Sequence, residues 1–235
     1  MGLTLGNLKL GLRIWHWSVL PITSCPGRSC LCEEECYACK GHYYSPVVTR
    51  ALERNLEVAE SPDFVGWMKT ELRRTCAETV RIHVAGDFRF VRTVRAWTKI
   101  AKANPDRTFV AYTRSWRVSR LYDALRELAK LPNVLLWFSC DKETGAPPLL
   151  PYVKRAYMAV DDDDSPRYKV DLVFRTQPKT PMRFDRRGNW VCPYDQGLQH
   201  KVKVTCSACM KCYEDKELPT RWPRQSNPRL CVAAS

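Results

Sequence analysis

Residues 133–140, NVLLWFSC, are apolar at almost every position. Side chains on a strand alternate between its two faces, so a strand made of this run is buried on both. Sheets covered on both faces are chiefly parallel, with helical crossovers lying against them. The flanking sequence agrees. VRIHVAGDF (80–88) and TFVAYTRS (108–115) are two further apolar runs, and the segments between the runs carry helical periodicity. FVRTVRAWTKIAKANP (90–105) turns Val94, Trp97 and Ala101 to one face and stops near Pro105. VSRLYDALRELAKL (118–131) does the same with Leu121, Tyr122, Leu125 and Leu128.

Upstream, RIWHWSVLP (13–21) reads as a first strand ending at Pro21, with Trp15 and Trp17 packed on one face. Two helices should follow. The first has Ser45 as N-cap, Pro46 in its first turn, and Val48, Leu52 and Leu56 at four-residue spacing. The second repeats the device with Ser61 and Pro62, and lays Phe64, Trp67, Met68 and Leu72 on one face. Downstream, RAYMAV (155–160) and VDLVFRTQ (170–177) read as two more strands. Six strands, alternating with helices in the earlier part of the chain, indicate the α/β class. They are too few for an eight-stranded barrel and fit a partial, TIM-like (β/α)6 barrel or a doubly wound sheet. Residues 1–177 form this unit. Residues 178–235 are rich in Pro, Arg and Cys and read as a small metal-binding subdomain.

A chain of 235 residues needs no disulfides to hold a core, yet it has twelve cysteines. No secretory leader pattern is visible and no apolar run approaches the roughly 20 residues of a membrane span. The expected setting is cytoplasmic, where clustered thiols are more often metal ligands than disulfides. Cys32, Cys36 and Cys39 stand as C-x3-C-x2-C between the first strand and the first helix. Three such thiolates can hold three irons of a [4Fe–4S] cluster and leave the fourth open; Cys25 and Cys30 are further candidates. Cys192, Cys206, Cys209 and Cys212 form a second set, C-x13-C-x2-C-x2-C. Four thiolates close a site, either a second [4Fe–4S] cluster or a structural zinc, with His200 as a spare ligand. Cys76 and Cys231 have no partners by spacing and are read as structural.

On C-x3-C-x2-C after a first strand, and on HVAGDF after the second, the chain resembles the radical S-adenosylmethionine (SAM) superfamily. It also resembles the gene product 88 family of phages and plasmids. That second likeness runs through TSCPG (23–27), CYACKG (36–41), VRIHVAGDF, AYTRS (111–115), WFSCD (137–141) and TCSACMKC (205–212), and covers most of the chain. The radical SAM resemblance implies a partial barrel of that type, one or two [4Fe–4S] clusters, SAM as cofactor, and an electron donor. It also implies Gly86 and Asp87 at the SAM methionine group. Ala85-Gly86-Asp87 stands where that superfamily has Gly-Gly-Glu, so the carboxylate sits on a shorter arm. Ala38 precedes the third cysteine where an aromatic is usual, and Tyr37 lies one position earlier. The radical SAM pattern implies Cys32, Cys36 and Cys39 as ligands, while the phage pattern implies Cys25, Cys32 and Cys36. Both triads stay open.

Other strand-end residues are candidates beside these. Ser139 and Asp141 can reach a ribose hydroxyl, and Cys140 can donate a hydrogen atom. Tyr112 and Arg114 end the third strand; Arg114, like Arg175 at the sixth, can bind a carboxylate or phosphate. His42 is a candidate contact beside the cysteine loop. His83 reads as a satisfied residue of its strand. The run Asp161–Asp164 reads as a solvated loop rather than a cation site. Lys and Arg total 38 against 25 Asp and Glu, a formal charge of +13. That excess suggests DNA or RNA as partner. RWPRQSNPR (221–229) mixes basic and aromatic residues, as nucleic-acid contacts do.

Overall fold

A computed structural model describes residues 2–196 and 204–214. The chain order begins with strands β1 (Thr4–Leu5) and β2 (Trp15–Trp17), then helices α1 (Cys30–Glu34), α2 (Pro46–Glu60) and α3 (Phe64–Thr75). It continues β3 (Thr79–Ile82), α4 (Val91–Lys102), β4 (Thr108–Thr113), α5 (Ser119–Ala129), β5 (Val134–Cys140), β6 (Val153–Ala159) and β7 (Leu172–Arg175). Two single-turn helices close the described chain, α6 (Pro193–Gln196) and α7 (Cys206–Cys209).

All seven strands lie in one sheet in sequential order. β1 pairs antiparallel with β2, and every later neighbour is parallel. A doubly wound sheet reverses its order at the centre, so that alternative is set aside. One face carries the helices. Val80, Ile82, Phe109, Ala111, Leu136 and Phe138 pack there with Trp97, Leu121 and Leu125. The stretch RIWHWS behaves as expected: Trp17 is fully buried, with Phe64 and Trp67 against it at 5.7 and 5.1 Å between ring centres. Ser45 caps α2 through its hydroxyl, which accepts from Val48 N.

The opposite face packs against other material. Val110, Leu135, Trp137, Ala156 and Leu172 share a core with Leu10 and Ile14 from the N-terminal loop and with Cys192 and Tyr213 from the cysteine-rich tail. The described tail residues therefore form one core with the sheet.

Several expectations are corrected. Helices occupy only the crossovers into β3, β4 and β5; among the described residues those into β6 and β7 have none. The first of these holds Gly145, Pro147, Pro148 and Pro151, which do not propagate a helix. Six parallel strands are present, but not six β/α units. The strand expected over 80–88 stops at Ile82, because His83 (φ 56°) and Gly86 (φ 80°) take left-handed backbone. A side chain at Gly86 would also strike Val19 and Ser24, so only glycine fits. His83 is buried with neither ring nitrogen hydrogen-bonded among the described residues, so it is not the satisfied strand residue expected. Burial pushes its pKa down to about 3, which keeps it neutral. Ser61 does not cap α3; it closes α2, its hydroxyl donating to Val58 O. Cys76 is disulfide-bonded, contrary to the expectation of reduced thiols. Cys231, His200 and RWPRQSNPR lie outside the described residues. Among the described residues no helix is long and apolar enough to cross a membrane.

Candidate metal centres

The N-terminal cysteine loop leaves β2 and crosses the carboxyl ends of the parallel strands, where ligands of such sheets bind. Its docking is specific. Ser29 caps α1, accepting from Cys32 N at 3.0 Å, while its hydroxyl donates to Asp141 Oδ2 at 2.6 Å. Leu31 N donates to Glu143 at 3.0 Å. Arg117 donates to the carbonyls of Gly27 and Arg28 at 3.0 and 3.1 Å. Gly27 passes so close to β4 that an added Cβ would lie 2.1 Å from the Arg114 carbonyl oxygen. Gly27→Ala is therefore expected to lift the loop from the sheet. If the N-terminal thiols hold a metal, at least half of it should then be lost in direct metal analysis, with any metal on the C-terminal set retained.

Four thiols of the loop follow one another in space. Cys25 lies within electrostatic reach of Cys32, Cys32 of Cys36 and Cys36 of Cys39, whose N donates to Cys36 O at 3.0 Å. Burial pushes Cys25 up to about 12 and Cys36 up to about 11, so both are protonated until something replaces the proton. Burial also raises Cys32, but the Arg114 guanidinium opposes it, donating to Cys32 Sγ at 3.1 Å. The other arm of that guanidinium pairs with buried Asp141 at 3.1 Å. All four thiols are free, as is exposed Cys30.

Asp87 is surrounded by donors. Its Oδ1 accepts from Phe88 N at 2.7 Å and Thr113 Oγ1 at 2.6 Å. Its Oδ2 accepts from Arg114 N at 2.8 Å and Ser115 N at 3.2 Å. Burial raises its pKa and these donors act the other way. A carboxylate offers about four lone-pair sites, and here all four are engaged. Asp141 is similarly occupied, by Ser29, Arg114, Glu143 N and Thr144 N.

The other strand-end candidates divide between places. Tyr112 stacks on Trp137 and contacts Cys212, so it belongs to the C-terminal set while Arg114, two residues on, serves the loop. Ser139 is half-buried near the loop's edge of the sheet, its carbonyl accepting from Trp116. Cys140 is buried among Tyr157, Val173 and Val191, and burial raises its pKa to about 11. Arg175 is turned toward the acidic loop, paired with Asp162 and donating to Thr180 O at 2.8 Å. The four aspartates of that loop cap its own backbone or pair with Arg175 and Arg186. Tyr37 reaches Val84 O with its hydroxyl while its ring stays exposed, and His42 is exposed.

Cys192, Cys206, Cys209 and Cys212 line one cavity with Trp190 and Met210. The turn bearing them is stitched to the N-terminal loop: Cys206 N donates to Lys9 O at 2.8 Å and Ser207 N to Leu10 O at 2.9 Å. Burial raises Cys206, and raises Cys212 to about 11; Arg81 opposes both shifts. The Arg81 guanidinium lies 3.8 Å from the centre of the Tyr112 ring, and its Nε has no partner among the described residues. Among the described residues no three His, Cys, Asp or Glu side chains converge at metal-binding distance. In donor chemistry both sets suit a thiolate-bound metal, since their cysteines are outside any disulfide and a guanidinium lies near each set.

Sequence reasoning missed Ser29, Gly27, Glu143 and Arg81. Ser29 was legible as a cap before CLCEE, and Arg81 as the one cation among apolar neighbours in TVRI. Gly27 and Glu143 act through contacts more than 85 residues away and left no local signal.

A family model described as gene product 88 matches residues 3–229. The chain is 30% identical over 131 residues to the Gene 88 protein of Mycobacterium phage L5, which covers 51% of this chain and 53% of that protein. It is 29% identical over 131 residues to the Gene 88 protein of Mycobacterium phage D29, with the same coverage. The chain thus spans about half the length of the curated relatives it matches. No solved structure matches it.

Proposed function

The chain belongs to the gene product 88 family, and from its two thiol sets we propose that it is an iron–sulfur enzyme of radical SAM type. The observation that carries this reading is the cysteine loop at the carboxyl ends of the parallel strands, with Arg114 donating to Cys32 Sγ. Three loop thiolates would hold a [4Fe–4S] cluster with one iron left open for SAM. When bound and reduced, such a cluster would supply the electron for reductive cleavage of SAM, the source of hydrogen-abstracting radical chemistry.

The chain's own residues would position and shield. Arg114 would compensate thiolate charge and orient Cys32. Asp141 and Ser29 would hold Arg114 and α1 in place. Asp87, engaged by four donors, would act by fixing the β3 and β4 ends rather than by accepting the SAM amine. The second set would hold an auxiliary cluster. Its four cysteines around one cavity also favour a second reading, a structural zinc in a non-catalytic protein.

Anaerobic purification followed by metal analysis separates these readings. Two clusters give about eight irons and eight sulfides per chain. Colourless protein holding only zinc would end the iron–sulfur proposal. Reduction in the presence of SAM should release 5′-deoxyadenosine; a cluster-replete sample that releases none leaves an iron–sulfur protein without this chemistry. Cys39→Ala tells the triads apart. Loss of about four irons identifies Cys32, Cys36 and Cys39, and retention identifies Cys25, Cys32 and Cys36.

A further inference from the structure

The helix-covered face carries a charge pattern that the thiol chemistry does not use. α4, VRTVRAWTKIAK, has no acidic residue, and its four cations all point to solvent. Arg92, Arg95, Lys99 and Lys102 follow at spacings of three or four, which is one helical stripe. Neighbouring α3 runs the same way, since both helices return the chain to the start of the next parallel strand. It adds Lys69 and Arg73, both exposed. Of these six, only Arg92 is in an ion pair among the described residues, with Glu60 at 3.5 Å.

An ordinary solvated helix in this protein looks different. α5 alternates its signs, pairing Arg126 with Asp123 and Lys130 with Glu127. α2 sets exposed Arg50 and Arg54 beside exposed Glu53 and Glu57. On α4 each cation instead neighbours another; the helix dipole disfavours Arg92 in the first turn and favours Lys99 and Lys102 in the last. The like-charge neighbours repel one another along this stripe, and a polyanion would relieve that repulsion.

We propose that the α3–α4 face binds the phosphate backbone of double-stranded DNA. The duplex carries one negative charge per about 1.7 Å of axis, the densest match for a straight stripe of cations. No large exposed hydrophobic or aromatic side chain lies on α3 or α4. A surface for single strands uses such rings to stack bases, so this face suits a duplex. The inference stands apart from the metal chemistry and does not depend on it.

The test is the salt dependence of binding by the full chain to a duplex DNA of about 20 base pairs. Each phosphate contact contributes about −0.9 to the slope of log affinity against log salt. The triple variant R95Q/K99Q/K102Q should flatten the slope by about 2 to 3 and weaken binding at least tenfold at low salt. The control R50Q/R54Q/R120Q removes the same net charge from α2 and α5 and should leave the slope within about 1 of the parent. Circular dichroism checks that both variants fold. An unchanged slope in the α4 variant, an equal fall in the control, tighter binding to the matching single strand, or binding to anionic phospholipid vesicles in place of duplex would each overturn the proposal.

Discussion

Asp87→Asn is expected to destabilise the metal-free protein by about 3 kcal/mol or more, since two donors to a charged acceptor are lost at about 1.5–3 kcal/mol each. For a chain of this size that is a fall of roughly 6–12 °C in Tm. An amide oxygen can serve one donor pair, but the amide NH2 must then face the other. If it faces Arg114 N and Ser115 N, three donor groups meet with no acceptor between them. Thr113→Val, which removes one hydroxyl donor to Oδ1, should cost about 1–2 kcal/mol. Thermal unfolding followed by circular dichroism measures both. A carboxylate held open for a ligand amine would give the opposite result: Asp87→Asn would leave Tm within a degree or two and affect only ligand binding.

The second large effect concerns the C-terminal cavity. On the proposed metal-binding reading, Cys206→Ser with Cys212→Ser should abolish the metal held there, because two remaining thiols cannot close the site. If both centres are [4Fe–4S] clusters, iron should fall from about eight to about four per chain. The turn bearing these cysteines also covers Val110, Leu135 and Trp137. Loosening it should expose that face, with higher binding of a hydrophobic dye and a changed aromatic signal from the Tyr112–Trp137 stack. On the same reading the N-terminal thiols should keep their metal, since the loop contacts of Ser29, Arg114 and Arg117 are untouched. Simultaneous loss of both metals, or full retention, would sink the idea of two separate centres.

The parallel sheet was readable because its strands are apolar on both faces, and the α4 and α5 faces because their periodicity is clean. What covers the second face was not readable. Leu10, Ile14 and Tyr213 meet only through contacts from the two ends of the described chain, and no local pattern encodes such a meeting. The break after Ile82 was hidden for another reason: VRIHVAGDF has the composition of a strand, and Gly86 alone hinted at a bend. At the candidate centres the spacing marked the cysteines. It could not show that Asp87 is saturated or that Arg114 binds a sulfur, because both depend on which strand ends lie side by side.

The cover of the sheet's second face bears on how the protein is made. The ribosome finishes β7 at Arg175 about 40 residues before it reaches Tyr213, an interval of roughly 2–8 s at about 5–20 residues per second. At the start of that interval Leu135, Trp137 and Leu172 have the helix layer behind them and only the N-terminal loop in front, with Trp190, Cys192 and Tyr213 still to come. A nascent chain is then a half-clad sheet, open to aggregation and to chaperones.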